Sequence, residues 1–205
     1  MELHKKKEKN CSCQGFKNYE IGTNYTYLAI KRKSRLMLKP FVGKWNEESC
    51  LEFWKEIEKR FVPATVKYRF NVCTDGNKQN TPALQTVFPI CAVNYARVKK
   101  IKRGDIVIGM VRKNVLGHTP IEEIGIRHID GFCARLRERV SRYCRKSKTF
   151  SKKKTAFYYH LCIFQAYNNF IEPYKDKKTP CMIEGITSRF WDWDDFFKRF
   201  YPSSQ

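Results

Sequence analysis

Two aspartates and a row of arginines are the residues of this chain best suited to chemistry. Asp75 closes an apolar stretch in the turn Thr74-Asp75-Gly76-Asn77. Asp130 stands at the head of a segment, Arg127 to Lys154, that carries eleven Lys and Arg against two acids, Asp130 and Glu138. Carboxylates that converge on Mg²⁺ or Mn²⁺ activate a water or a 3′-hydroxyl and stabilise the leaving oxygen of a phosphodiester. Asp75 and Asp130 are the candidate catalytic and metal-binding pair. Guanidinium forks match phosphate geometry, so Arg135, Arg139 and Arg142, with Arg137, Arg145, Lys146 and Lys152 beside them, are candidate DNA-binding residues. Plainer readings stand next to these. Asp-Gly is a common turn signal, Asp130 could cap a helix beginning near Gly131, and a charge row could be a solvated helix face.

Composition favours a polyanionic partner. The 205 residues hold 41 Lys and Arg against 20 Asp and Glu, a formal net charge of +21. Solubility needs far less, and such a field draws in phosphate backbones. A hydrophobic fraction of 42% with 15% aromatics argues for a folded chain with a core and against a disordered basic tail. No apolar run approaches the roughly 20 residues of a membrane span, and the opening MELHKKKEKN does not read as a secretory leader. A cytoplasmic protein without membrane partners and with reduced cysteines is expected. Cys11, Cys13, Cys50 and Cys73 form no CxxC pair, which argues against a structural zinc site. Cys133, Cys144 and Cys162 read as small apolar residues. His160 reads as a hydrogen-bonded core residue, and His128 lies close enough in sequence to orient Asp130. A Gly-rich nucleotide loop and a GxSxG elbow are both missing, so ATP hydrolysis and serine chemistry have no support.

The elements that must position these residues follow from local pattern. Tyr25–Ile30 and Leu36–Val42 read as strands joined by the polar Lys31–Arg35, with Pro40 suggesting an edge or bulge. Asn46 is placed to cap a helix with Ser49 at N3 and Glu47 and Glu48 in its first turn. Leu51, Trp54, Ile57 and Phe61 would be its buried stripe, and Pro63 its end. Val66–Cys73 alternates as a third strand that delivers Asp75. Residues 80–125 are less legible, though Arg97, Lys99, Lys100, Lys102 and Arg103 cluster and Ile106–Val111 is a short apolar run. In the basic helix, Cys133, Leu136, Val140 and Tyr143 would face the core. Ala156–Ile171 reads as a core helix, and Thr179–Tyr201 as an aromatic amphipathic element. The order predicts an α/β fold, in which ligand sites gather where strands end. The expected layout is a charged N-terminus over 1–18, one domain over 19–175 and a C-terminal extension over 176–205.

The string His128–Lys152, HIDGFCARLRERVSRYCRKSKTFSK, resembles the final catalytic segment of bacterial and archaeal insertion-sequence transposases, the insertion sequence one family and its relatives. There an acid precedes a stretch ending in LR-x-R, then an RK-(S/T) element and FSK. Leu136-Arg137-Glu138-Arg139, Arg145-Lys146-Ser147 and Phe150-Ser151-Lys152 occupy that order here. AIKRKSRLMLKPFVGKW is similar to the family's second and third strands, CTDG to its TD-x turn, and TPCMIEGIT to a terminal TPxM-x-x-GIT element. The resemblance covers most of residues 19–195. It implies an RNase H-like mixed sheet with flanking helices and a basic helical segment towards the C-terminus. It also implies a DDE triad working with Mg²⁺ or Mn²⁺, DNA ends and target DNA as partners, and a homodimer or higher assembly when active. By position, Asp75 matches the second acid and Asp130 the third. The chain departs from the pattern in two places: the third acid is usually Glu, and the first would fall at or before Met1, where Met1-Glu2-Leu3-His4 stands. A DNA transposase catalytic region, in a prokaryotic cytoplasm and associated with the nucleoid, is the expected function. An inactive remnant that only binds DNA is the alternative. An RNA-binding or ribosome-associated protein fits the charge but leaves the ordered motifs unexplained.

Overall fold

Asn46 sets the first helix as its sequence dictates. In a computed structural model, which describes residues 2–3, 24–61, 67, 69–144, 151 and 153–200, the Asn46 side chain accepts from Ser49 N at 2.9 Å. Helix α1 then runs Glu47–Glu58. Its buried face is Cys50, Phe53, Trp54 and Ile57, an i, i+3, i+4, i+7 stripe. Trp54 and Ile57 lie as expected, whereas Leu51 and Phe61 are only half-buried and the helix stops before Pro63. The stripe shifts because Trp54 Nε1 donates to Asn80 Oδ1 at 2.9 Å, fastening α1 to helix α2, Asn80–Val87.

The described residues gather into two compact units, Gly43–Gly131, and Met1–Val42 with Phe132–Gln205. The first contains α1, α2 and a mixed sheet. Strand β4, Phe70–Thr74, pairs in parallel with β5, Val93–Arg103, from Phe70↔Val93 to Thr74↔Arg97, and α2 lies in the crossover. Antiparallel to β5 runs β6, Ile106–Leu116, giving the order β4-β5-β6. Ala96 and Val98 of β5 pack with Ile124 and Ile126 in a small core. The basic cluster thus lies on a long strand, and the apolar run of 106–111 opens its partner. Gly117 ends β6 at φ +59, where any Cβ would run into Asn94 Oδ1.

The second unit has strands β1, Glu2–Leu3, β2, Asn24–Tyr27, and β3, Phe41–Gly43, whose last residue opens the first unit, in that order, with β1 antiparallel to β2. Helix α3, Arg127–Arg139, begins in the first unit and ends in this one. Helix α4, Lys154–Ala166, continues into a π turn, Tyr167–Ile171, and short helices α5, Pro180–Ile183, and α6, Trp193–Phe200, follow. Met37, Val42, Phe132, Leu136, Tyr143, Phe157, Leu161 and Phe164 form the core.

The expected strand Leu36–Val42 is strand only from Phe41; before it, Met37 makes an isolated bridge to Ile30. The reason is competition from side chains. Asn169 Oδ1 accepts from Met37 N and its Nδ2 donates to Met37 O, both at 2.9 Å. Gln165 Nε2 donates to the carbonyls of Met37 and Leu38 at 3.0 Å, and Asn168 Nδ2 to Arg35 O at 3.3 Å. These amides supply what a ladder would have supplied. The architecture is mixed α/β, with six α-helices among the described residues. No helix among them is long and apolar enough to cross a membrane.

Replacing Asn169 by Leu keeps the bulk but strands the N–H of Met37, which is 1% exposed. An orphaned buried donor costs about 2 kcal/mol. Urea unfolding of Asn169→Leu should show a lowered midpoint of that size with an unchanged slope; a midpoint equal to that of the parent would refute the clasp.

Candidate nucleic-acid site

Both aspartates fall in the Gly43–Gly131 unit. β4 ends at Thr74, whose hydroxyl meets Tyr95 OH at 2.9 Å and sits 3.0 Å from Asp75 O. Burial pushes the Tyr95 phenol above its usual range, against the pull of the Thr74 hydrogen bond. Asp75 is exposed, and its Oδ1 accepts from Asn77 N at 3.1 Å, so the TDG turn is closed by the aspartate itself. Asp130 is not an N-cap: α3 begins at Arg127, and Asp130 sits inside its first turn, with its own N–H donated to Ile126 O at 2.9 Å. The helix starts earlier than Gly131 because Ile126 and Ile129 already pack against the β5 core.

Asp130 Oδ2 receives Lys100 Nζ of β5 at 2.7 Å. The pair is half open to solvent, with side chains 47% and 31% exposed, so its net worth is small, about 0–1 kcal/mol. Among the described residues no group of three or more His, Cys, Asp and Glu could jointly hold a metal. The donors present are hard carboxylate oxygens open to solvent. In kind they fit Mg²⁺, which takes one or two carboxylates and completes its shell with water and substrate phosphate.

Two arginines of the basic row, Arg135 and Arg139, have structural partners. Arg135, its side chain 24% exposed, donates to Asn168 Oδ1, faces Glu172 Oε2 at 3.3 Å and lies over the Phe132 ring. Arg139 donates to Glu172 Oε1 at 2.8 Å. One carboxylate therefore holds two members of the stripe that the sequence offers to phosphates. Arg137 is half-buried, its Nε enclosed without a hydrogen-bond partner among the described residues. Arg142 is half-buried on a 3₁₀ turn, Ser141–Tyr143, because α3 stops at Arg139 and Val140 is extended. Tyr143 accounts for that break: its ring is stacked on Phe157 and its hydroxyl donates to Phe157 O at 3.0 Å. In the apolar stripe, Phe132 with Leu136 and Tyr143 takes the core, while Cys133 is half-buried. Arg145, Lys146 and Lys152, like Cys11 and Cys13, lie outside the described residues. Of the other cysteines weighed for zinc, Cys50 is buried and its thiol is pushed by burial up to about 11, with Asn80 as partner; Cys73 packs at the edge of the β5 core.

Sequence reasoning did not find Glu172. Its signal was available: Gln165, Asn168, Asn169 and Glu172 are polar at i, i+3, i+4, i+7 within an otherwise apolar helix, a face with a partner to satisfy. It also left Lys100 outside the site, though Lys100 is the cation that meets Asp130. Compared with protein-family models, curated proteins and solved structures, the chain matches none of them.

Glu172, its side chain 12% exposed, anchors two guanidinium groups. Arg135→Ala should destabilise the chain by roughly 1–3 kcal/mol, because it leaves Glu172 and Asn168 short of a donor. Arg139→Ala, at a site 49% exposed, should cost about 0–1 kcal/mol. Thermal unfolding of the two variants tests this order, and equal losses would show that the clasp is not centred on Arg135.

Proposed function

We propose that this chain is the catalytic region of a DDE-type DNA transposase with an RNase H-like fold, acting on DNA ends and target DNA in a prokaryotic cytoplasm. The observation that carries the reading is the placement of the two acids. Asp75 leaves the C-terminal end of a parallel strand, and Asp130 stands on the helix that follows the same mixed sheet. This order agrees with the transposase-like motif string of the sequence. A chain of formal charge +21 supplies the field that a phosphodiester substrate would need.

In this reading Asp75 and Asp130 would hold Mg²⁺ or Mn²⁺, which when bound lowers the pKa of an attacking hydroxyl and neutralises charge on the leaving oxygen. The residues have their own work. Asn77 N–H holds the Asp75 carboxylate at the strand end. Lys100 keeps Asp130 charge-balanced until a stronger cation competes for it. Arg142, Arg145, Lys146 and Lys152 position the DNA backbone, and a second copy of the chain would bring the two DNA ends together.

A second reading is a remnant that binds DNA without cutting it. The observations that favour it are that Asp130 already has a cation and that no three-acid cluster occurs among the described residues.

The test is Mg²⁺- or Mn²⁺-dependent nicking and strand transfer on labelled DNA carrying candidate element ends, beside DNA affinity measured over a range of salt. The transposase reading expects activity that Asp75→Asn and Asp130→Asn each abolish while DNA affinity stays within about twofold. Affinity without nicking in the parent would establish the remnant. Arg142→Ala should flatten the salt slope by about 0.9, one phosphate contact. A parent chain that fails to bind DNA would overturn both readings.

A further inference from the structure

The β5–β6 hairpin runs on past the core as a two-stranded ribbon that, among the described residues, is tied back to the rest of its unit by the Lys100–Asp130 pair and by Arg112 on Ile121 O. Its last buried side chain is Val98, opposite the exposed Arg112. Beyond that pair, residues 99–103 and 106–111 continue to a two-residue turn, Gly104-Asp105, with Gly104 at φ +61. A glycine at the first turn position is what a tight hairpin with right-handed twist requires. At about 3.3 Å per residue the portion beyond Val98 extends about 17 Å.

Its side chains are unusual for a surface that no described residue covers. Ile106 is 71% exposed and Ile108 61%, with Ile101, Val107, Met110 and Val111 also open to solvent. Arg97, Lys99, Lys100, Lys102, Arg103, Arg112 and Lys113 accompany them, against a single acid, Asp105. Only Lys100 has an ion pair, to Asp130, among these cations in the described residues. The register places Lys99 opposite Val111 on one face and Lys100 opposite Met110 on the other. Both faces are therefore mixed, cationic and apolar together.

That mixture discriminates among occupants. A lipid surface takes an apolar face with its charges on the opposite side, and this ribbon has no such division. A second copy pairing along β6 would set two like-charged ribbons side by side, which repels. The major groove of a nucleic-acid duplex surrounds what enters it. It admits a two-stranded ribbon, is about 8.5 Å deep, offers phosphates on both walls and thymine methyls on its floor. The ribbon is long enough to reach that floor. The register shift between Ile101 and Lys102 sharpens the local twist, as a groove-following element needs.

We propose that the β5–β6 ribbon is a duplex-DNA-binding arm that enters the major groove, with Lys99, Lys102 and Arg103 on the phosphates and Ile106 and Ile108 against base edges. This rests on the DNA-handling reading above and adds a contact surface separate from the arginines of α3.

The experiment uses the full chain and a labelled mixed-sequence DNA duplex, read by fluorescence anisotropy across a salt series, with circular dichroism to confirm folding. All substituted side chains are exposed, so the fold should hold. Lys102→Ala with Arg103→Ala should lower the salt slope by about 1.8, two phosphate contacts. Ile106→Ser with Ile108→Ser should weaken binding roughly tenfold at an unchanged slope. If both pairs bind as the parent does while Arg142→Ala weakens binding, the arm is wrong and the DNA reading stands. If the parent does not bind duplex DNA, both fall. If Ile106→Ser with Ile108→Ser dissolves a dimer seen by sedimentation and leaves DNA affinity unchanged, the ribbon is a contact between copies.

Discussion

The structure of the longer unit turns on amide side chains doing the work of a strand. Gln165, Asn168 and Asn169 hold the backbone of residues 35–38 through donors and acceptors that a neighbouring β-strand would otherwise provide. Asn168 also accepts from Arg135, and Glu172, one turn further on, holds Arg135 and Arg139. A single polar face of α4 and its π turn thus ties the segment before β3 to the end of α3. The apolar core of Met37, Leu136, Leu161 and Phe164 packs around it. A buried amide network is worth its cost only when every member is satisfied, which makes the face sensitive to any one substitution.

Scarce acids are the second constraint. With 41 cations to 20 carboxylates, the chain repels itself, and compactness suffers from an unbalanced field. Several of the acids that make ion pairs among the described residues join distant or successive segments: Glu172 to α3, Glu184 to Lys31 at 2.6 Å, Asp195 to Arg189 at 2.5 Å. Burial, the largest single influence, would raise the Glu184 carboxyl, but the hydrogen bonds from Lys31 and Ser34 and the Lys31 charge together bring it below the ordinary value. Asp130 and Lys100 follow the same pattern at the candidate site. A carboxylate near the sheet therefore serves first to balance local charge.

What the sequence revealed depends on how local the causes were. Asn46, Ser49 and the first-turn acids of α1 lie within four residues of one another, so the cap was readable. Asp75 at a strand end was readable for the same reason. The strand expected at Leu36–Val42 failed because its competitors lie 132 residues away, beyond any local pattern. The basic helix was expected to run on past Arg139; the stacking of Tyr143 on Phe157, another distant partner, ends it. β6 was legible only in part because its exposed side chains do not alternate between apolar and polar.

The outer edge of β6 has a further consequence. In the order β4-β5-β6 it is terminal, so among the described residues its outward N–H and C=O groups have no second strand. Long apolar edges of this kind invite pairing with other chains and fibrous deposition. Here Arg112 and Lys113 follow directly on the apolar run, and Lys99, Lys100 and Lys102 flank it from β5. These charges act as gatekeepers: Coulomb repulsion keeps copies apart in dilute salt, and counterions that screen it would expose the edge. Colloidal stability thus draws on the same few lysines that the proposed DNA contact would use, and a change that removes them would weaken both.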